Sequence, residues 1–497
     1  MRNLNGLPLD DDVIDRILQF LPSFSTLYSA ILTSKSFYQV YKAHPRSIIR
    51  AVAYNVVGPA LPQALRAIRY QEHKSARGSQ TKVGVDDSET ESDSDDNETP
   101  TRPSDANHAG SETESDDDLQ QAKTSQISRT EDDEETDEKT PITPDEARQL
   151  CESAKIVDHF EDLFSLRHKN RRFKTSQLTP TESYHFHRAT YRIMLYSRVF
   201  NAKKYEEWDE TEEDEVPADE LRQVRQARKK FLRNFFSPEL LQIHTVSLFL
   251  LELINWAGRT FLGETENSEF ILAMGPTTIF HFINDTWGDT LDEEEFHLTN
   301  PFCQSYLSGP ISQVLEERKS KLPDEGDPSV WRHVLESIDG DKDPCDQCKT
   351  PTGFDLLGPS TYDFVCRPLD HPLSSHVLPI YLKGNLPRSL VDRNFMEAQI
   401  RPPYVQETPY ARITDTIFDD DIKQPEFIDW RKEDWLCARC MEKYLREHLH
   451  LWLLSLKKIA GETVPENCWY GYNCRTMTHK IHHAQKLNHL CAPTRGT

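Results

Sequence analysis

The sequence predicts a mainly α-helical protein with three short N-terminal helices, a disordered acidic linker, a helical middle domain and a zinc-stabilised C-terminal region. Three observations carry this reading. Apolar residues recur at three- and four-residue spacing through residues 7–70 and 146–340, the period of one face of a helix. Between Asp86 and Lys139 there are 21 acidic and 4 basic residues, too polar a tract to offset its ordering entropy by burial. Beyond residue 340, cysteines and histidines fall at spacings that suit metal ligation. Five pieces follow: 1–70, 71–145, 146–340, 341–460 and 461–497.

In the first piece, Val13, Ile14, Ile17, Leu18 and Leu21 place an apolar stripe on one helix, which Pro22 ends. Leu27, Tyr28, Ala30 and Ile31, then Phe37, Tyr38 and Tyr41, form two more short helical faces before Pro45. The second piece repeats one hexapeptide, Ser88 to Asp93 and Ser111 to Asp116. It reads as a solvated spacer, or as a cluster of acid-directed phosphorylation sites at Ser88 and Ser111. Most of the chain's net charge of −24 sits in this tract; the remainder is ordinary, and a general acidic surface is not the picture.

Order is expected to resume at Pro141, where Thr143, Pro144, Asp145 and Glu146 supply a cap, an N1 proline and an acidic first turn. Helical patterns cover Tyr184 to Phe200, Asp219 to Phe236 and Pro238 to Leu262, with a second acidic loop from Glu206 to Glu215. His185 and His187 read as packed or surface histidines. Residues 341–436 are proline-rich and poor in periodicity, so long loops are expected there, followed by a helix from Cys437 to Ile459.

Two cysteine/histidine groups stand out. Cys345-x-x-Cys348 and Cys437-x-x-Cys440 are two knuckles, the second opening a helix whose N-terminal dipole favours thiolates. One zinc held by all four, in a treble-clef arrangement, is the expectation. In the tail, Cys468 and Cys474 flank a glycine turn, and histidines follow at His479, His482, His483 and His489. So short a segment needs a metal to organise it. His482, His479 and Cys491 stand as rival ligands. Ten cysteines so arranged fit a reducing compartment. The N-terminus lacks the apolar run of a signal peptide, and Ile243 to Trp256 is too short to span a bilayer. A protein of the nucleus or cytoplasm, without membrane contact, is expected. Neither a phosphate-binding loop nor Gly-x-Ser-x-Gly nor His-Glu-x-x-His occurs, so no enzyme is expected.

Leu7-Pro8-Leu9-Asp10, Val13 to Leu18 and Thr33 to Tyr38, continued by Ala51 to Pro62, resemble the F-box, in the form found in proteins of mushroom-forming fungi. Asp11 and Asp12 stand as two extra residues between the Leu-Pro entry and the first helix. The resemblance implies a substrate adaptor of an SCF-type cullin-RING ubiquitin ligase. Leu7, Pro8, Val13, Ile14, Ile17, Leu18 and Leu21 would then meet a Skp-type linker, a helix-in-groove contact, and the linker would join the chain to the cullin. The substrate protein is unnamed by anything in the sequence. Cys468-x-Tyr470-Gly471-x-x-Cys474 with His483-x5-His489 resembles the PBZ finger, a poly(ADP-ribose)-binding module. That resemblance implies Cys468, Cys474, His483 and His489 as zinc ligands, and Tyr470, Arg475 and Lys480 as polyanion contacts. Thr476 and Met477 stand where the family has a basic pair, and the gap from Cys474 to His483 is about two residues long for it. Two structural zinc ions are thus expected per chain. The alternative function is a zinc-organised protein, outside any ligase, that reads a polyanion or a chromatin partner.

Overall fold

A computed structural model describes residues 9–70, 140–203, 218–261, 268–284, 300–323, 327–359, 361, 378–400, 413, 416–418 and 422–495. Leu7, Pro8, the acidic tract to Lys139 with its hexapeptides, and the Glu206–Glu215 loop lie outside the described residues.

Short-range capping chemistry sets the first helices. α1 (Asp11–Gln19) opens on Asp11 and Asp12, carboxylates that suit the positive end of the helix dipole. Ser23 and Thr26 form a reciprocal capping box at the start of α2 (Phe24–Thr33). The Ser34 hydroxyl accepts from Phe37 N (3.2 Å) to begin α3 (Lys35–Ala43). Pro45 occupies the first turn of α4 (Pro45–Val57), and Gly58, at φ 78°, ends it. α5 (Leu61–Arg69) buries Leu61, Ala64, Leu65 and Ile68.

The expected cap at Thr143 is present. Thr143 N donates to Glu146 Oε2 (2.6 Å) and Glu146 N to Thr143 Oγ1 (3.2 Å), opening α6 (Pro144–Phe164). α6 runs into a π-helical turn, Ser165–Lys169. α7 (Pro180–Val199) starts on the same kind of box, Thr179 with Glu182, and is buried over most of its circumference. α8 (Ala218–Leu232), α9 (Ser237–Phe261), α10 (Ser268–Met274), α11 (Pro276–Ile283) and α12 (Ser308–Glu317) complete this half. Phe164, Phe186 and Phe249 meet at ring-centroid distances of 4.9–6.1 Å where α6, α7 and α9 converge.

One hydrophobic core runs from Ile14 to Leu335. The N-terminal helices are therefore not a free-standing module: α4 packs on α6 and α5 on α7. Arg69 Nε meets Glu146 Oε1 at 2.7 Å, and Arg198 Nη1 donates to the Ala67 carbonyl at 2.6 Å. A second core runs from Cys345 to Leu490 and takes in both cysteine-rich pieces. The described residues of its segment 341–436 are largely irregular, as expected, but include a helix not expected from the sequence, α13 (Leu390–Ile400), capped by Ser389. α14 (Ala438–Ile459) is its spine, burying Tyr444, Leu445, Leu449, Trp452 and Leu453. Tyr444 stacks on Phe418 at 4.2 Å and on His448 at 4.1 Å. The last helix is α15 (Ile481–Lys486). Among the described residues there are isolated β-bridges but no strand, and no helix is long and apolar enough to cross a membrane. His185 and His187 are half-buried; His187 Nε2 lies 2.5 Å from Glu161 Oε2.

Candidate metal centres and the exposed N-terminal face

Two separate stretches of chain build the four-cysteine group. Around Cys345, a tight turn brings Cys345 N to the Thr350 carbonyl and Lys349 N to the Cys345 carbonyl, both at 2.9 Å. The second stretch is locked to it by paired bonds. Leu357 and Leu436 exchange backbone bonds of 2.8 Å, Asp346 N donates to the Trp435 carbonyl (2.8 Å), and Trp435 N to Asp346 Oδ2 (2.7 Å). Cys437 is the N-cap of α14, and Cys440 follows one turn later. Their Sγ atoms converge with those of Cys345 and Cys348, all within 4.8 Å of one another.

These thiols sit in opposed environments. Hydrogen bonding to Thr350, whose Oγ1 lies 3.3 Å from Sγ, pulls the exposed Cys348 thiol down to about 6. Burial pushes Cys437 and Cys440 up. Left alone, the buried pair keeps its protons; a cation at the centre would reverse that, since a coordinated thiol is deprotonated.

The tail builds a second group. Tyr470 to Cys474 turn on Gly471, which has φ 42° and no room for a side chain: a Cβ there would lie 2.1 Å from the Cys491 carbonyl oxygen. Cys468, Cys474, His483 and His489 bring their ligand atoms within 4.8 Å of one another. His483 presents Nε2, 3.4 Å from Cys474 Sγ and 3.9 Å from Cys468 Sγ. His489 is buried, and neither ring nitrogen has a hydrogen-bond partner; a buried imidazole left so beside two thiols is suited to ligating a metal. The rivals are set aside by position. His479 and His482 are exposed, and Cys491 points its thiol at the Asn488 and Cys468 carbonyls (3.4 and 3.7 Å). Both four-residue groups are thus able to hold a metal ion; the first is the set expected from the two Cys-x-x-Cys pairs, the second the set that the PBZ resemblance implies.

The finger is not isolated. Asn385 N donates to the Tyr472 carbonyl (2.8 Å) and Asn385 Nδ2 to the Asn473 carbonyl (2.9 Å), clamping the turn between its two cysteines. Of the expected polyanion contacts, Tyr470, Arg475 and Lys480 are exposed. Spacing did not reveal a further feature beside them. Trp469 is 59% exposed, and the Arg495 guanidinium lies 4.0 Å from its ring centroid, held there by Thr494 N and Arg495 N donating to the Trp469 carbonyl.

At the N-terminus the expected contact residues divide. Ile14 and Leu18 are 0% exposed and belong to the chain's own core, with Leu21 partly buried against it. This corrects the expectation that all of them meet a partner: residues 14 and 18, one turn apart, point inward. Val13 and Ile17, the adjacent row, are 43% and 37% exposed, and Phe20 and Leu32 are 81% and 85% exposed.

No protein-family model matches the chain, nor does any curated protein or any solved structure.

Proposed function

We propose that the chain is a non-catalytic substrate adaptor of a cullin-RING ubiquitin ligase, docked by α1–α3 on a Skp-type linker, with a zinc-organised C-terminal half that selects the cargo. The observation that carries the docking step is the division of α1. Ile14 and Leu18 anchor the helix, while Val13, Ile17 and Phe20 remain outward as preordered apolar side chains suited to a partner's groove. The F-box resemblance names the partner. The reading implies an intracellular protein. In the test, immobilised Skp-type linker captures the full chain, and Val13→Asp with Ile17→Asp abolishes capture while helicity is unchanged. Equal capture of the double variant would remove α1 from the contact.

Zinc is the ion that fits both groups. A tetrahedron with Zn–S of about 2.3 Å has sulfur–sulfur edges of about 3.8 Å, against 3.6 Å between Cys348 and Cys437. With Zn–N of about 2.0 Å, the sulfur–nitrogen edge is about 3.5 Å, between the 3.4 and 3.9 Å of His483. Four protein donors leave no coordination position for water, so both ions would be structural rather than catalytic.

A second reading, favoured by the Trp469–Arg495 stack with Tyr470, Arg475 and Lys480 nearby in sequence, is that the finger reads a polyanion such as poly(ADP-ribose), with or without a ligase. Aromatic rings stack on bases and cations displace counterions. It is tested by salt-dependent polymer binding of the full chain, lost in Trp469→Ala at unchanged metal content.

A further inference from the structure

The two metal groups differ in one respect that bears on regulation. Of the six ligand thiols, Cys348 alone is exposed; Cys345, Cys437 and Cys440 in its own group and both finger thiols are buried. Cys348 Sγ also lies 3.6 Å from Cys437 Sγ, so a shift of less than 2 Å would close it to the about 2.05 Å of a disulfide. The same group sits at the joint between the two cores. Arg171, just beyond the π-helical turn, donates from Nη2 to Asp343 Oδ2 (2.8 Å) and from Nη1 to the Gly340 carbonyl (3.1 Å). Its guanidinium lies 4.9 Å from the Trp435 ring centroid. Asp343 is two residues before Cys345, Trp435 two before Cys437, and Asp346 bonds to Trp435 in both directions. The stretches that present the thiols are therefore the stretches that hold the helical core.

We propose that Cys348 is a peroxide-reactive modification site, at which oxidation to a Cys348–Cys437 disulfide expels the metal of the four-cysteine group and loosens the joint between the two cores. This rests on the reading that the group holds a metal. In the chemistry, the Cys348 sulfur attacks one peroxide oxygen, the O–O bond breaks, and one water leaves after protonation. The Cys437 thiolate then displaces the second oxygen as water and forms the S–S bond. Two thiolates supply the two electrons that reduce the peroxide, and the remaining pair of thiolates no longer closes the coordination shell. The finger, whose thiols are both buried, keeps its ion.

The test uses the full metal-loaded chain. Its metal content before oxidant checks the underlying reading separately: a chain folded without metal refutes both. Hydrogen peroxide is then added at low excess, and metal release, intact mass and a peptide map are followed. The expected result is release of one of the two ions, a loss of two hydrogens, a Cys348–Cys437 linked peptide and new proteolytic cleavage between Ser337 and Asp343. Cys348→His, which retains a ligand, is expected to bind metal and release it about tenfold more slowly or not at all. Release of both ions together, oxidation of Cys151 or Cys491 ahead of Cys348, release from Cys348→His at the same rate, or release without new cleavage would overturn the proposal.

Discussion

Truncating Ile14 and truncating Phe20 should have opposite signatures, although both are apolar residues of the same short segment. Ile14 is 0% exposed and Phe20 is 81% exposed. Ile14→Ala deletes three buried carbon groups at about 0.8 kcal/mol each, and the residual cavity raises the cost to about 3 kcal/mol. Phe20→Ala removes a ring of which only a fifth is covered, roughly 40 Å² and about 1 kcal/mol at most. The assay is equilibrium urea unfolding of the helical half followed by circular dichroism, with the midpoint shift converted through an unchanged slope. The expected result is a large downward shift for Ile14→Ala and a small one for Phe20→Ala, while linker capture is retained by the first below its unfolding midpoint and weakened by the second. Equal shifts, or a larger one for Phe20→Ala, would refute the assignment of inward and outward rows on α1.

Other consequences are independent of that face. Metal analysis is expected to give two zinc per chain, with Cys474→Ser losing one and Cys440→Ser losing the other; loss of both from either variant would contradict two separate sites. Burial lowers His244 to about 4, and it is 1% exposed. It is neutral in the fold but takes up a proton on unfolding below about 6.5, so stability is complete above that pH and falls as pH drops toward 4. The loss is about 3 kcal/mol, and His244→Phe should flatten that slope in pH-dependent denaturation. Arg171→Ala removes the 2.8 Å ion pair to Asp343 and the packing on Trp435 at the joint, leaving Asp343 only its 3.2 Å contact with Arg172, and should cost about 2 kcal/mol, read as earlier thermal unfolding with full metal content.

The parts of this fold that depend on neighbours in sequence were legible beforehand. Thr143 with Glu146 and Cys437 opening a helix are each determined within four residues, and each stands where expected. The four cysteines of the two Cys-x-x-Cys pairs were also readable, because a metal site restricts both residue type and spacing; the finger's histidines were not fixed by spacing and came from the PBZ resemblance. What could not be read depends on contacts far apart in the chain. Val13, Ile14, Ile17, Leu18 and Leu21 occupy two adjacent helical rows, and only the packing of α1 against α3 and α4 decides which row is inside. Likewise His479, His482 and His483 are all candidates until the fold leaves His479, before α15, and His482, on its outer face, exposed and brings His483 to the thiols. Arg171 and Asp343 are 172 residues apart, and Trp469 needs a tail that returns over Gly471 to place Arg495 on it. Neither leaves a local signal.

The most direct test of the adaptor reading is the mass in solution of the full, metal-loaded chain mixed with a purified Skp-type linker. A one-to-one complex is expected, and it is lost when Val13 and Ile17 are changed to Asp. A folded chain carrying both metals that elutes apart from the linker at micromolar concentration would contradict it.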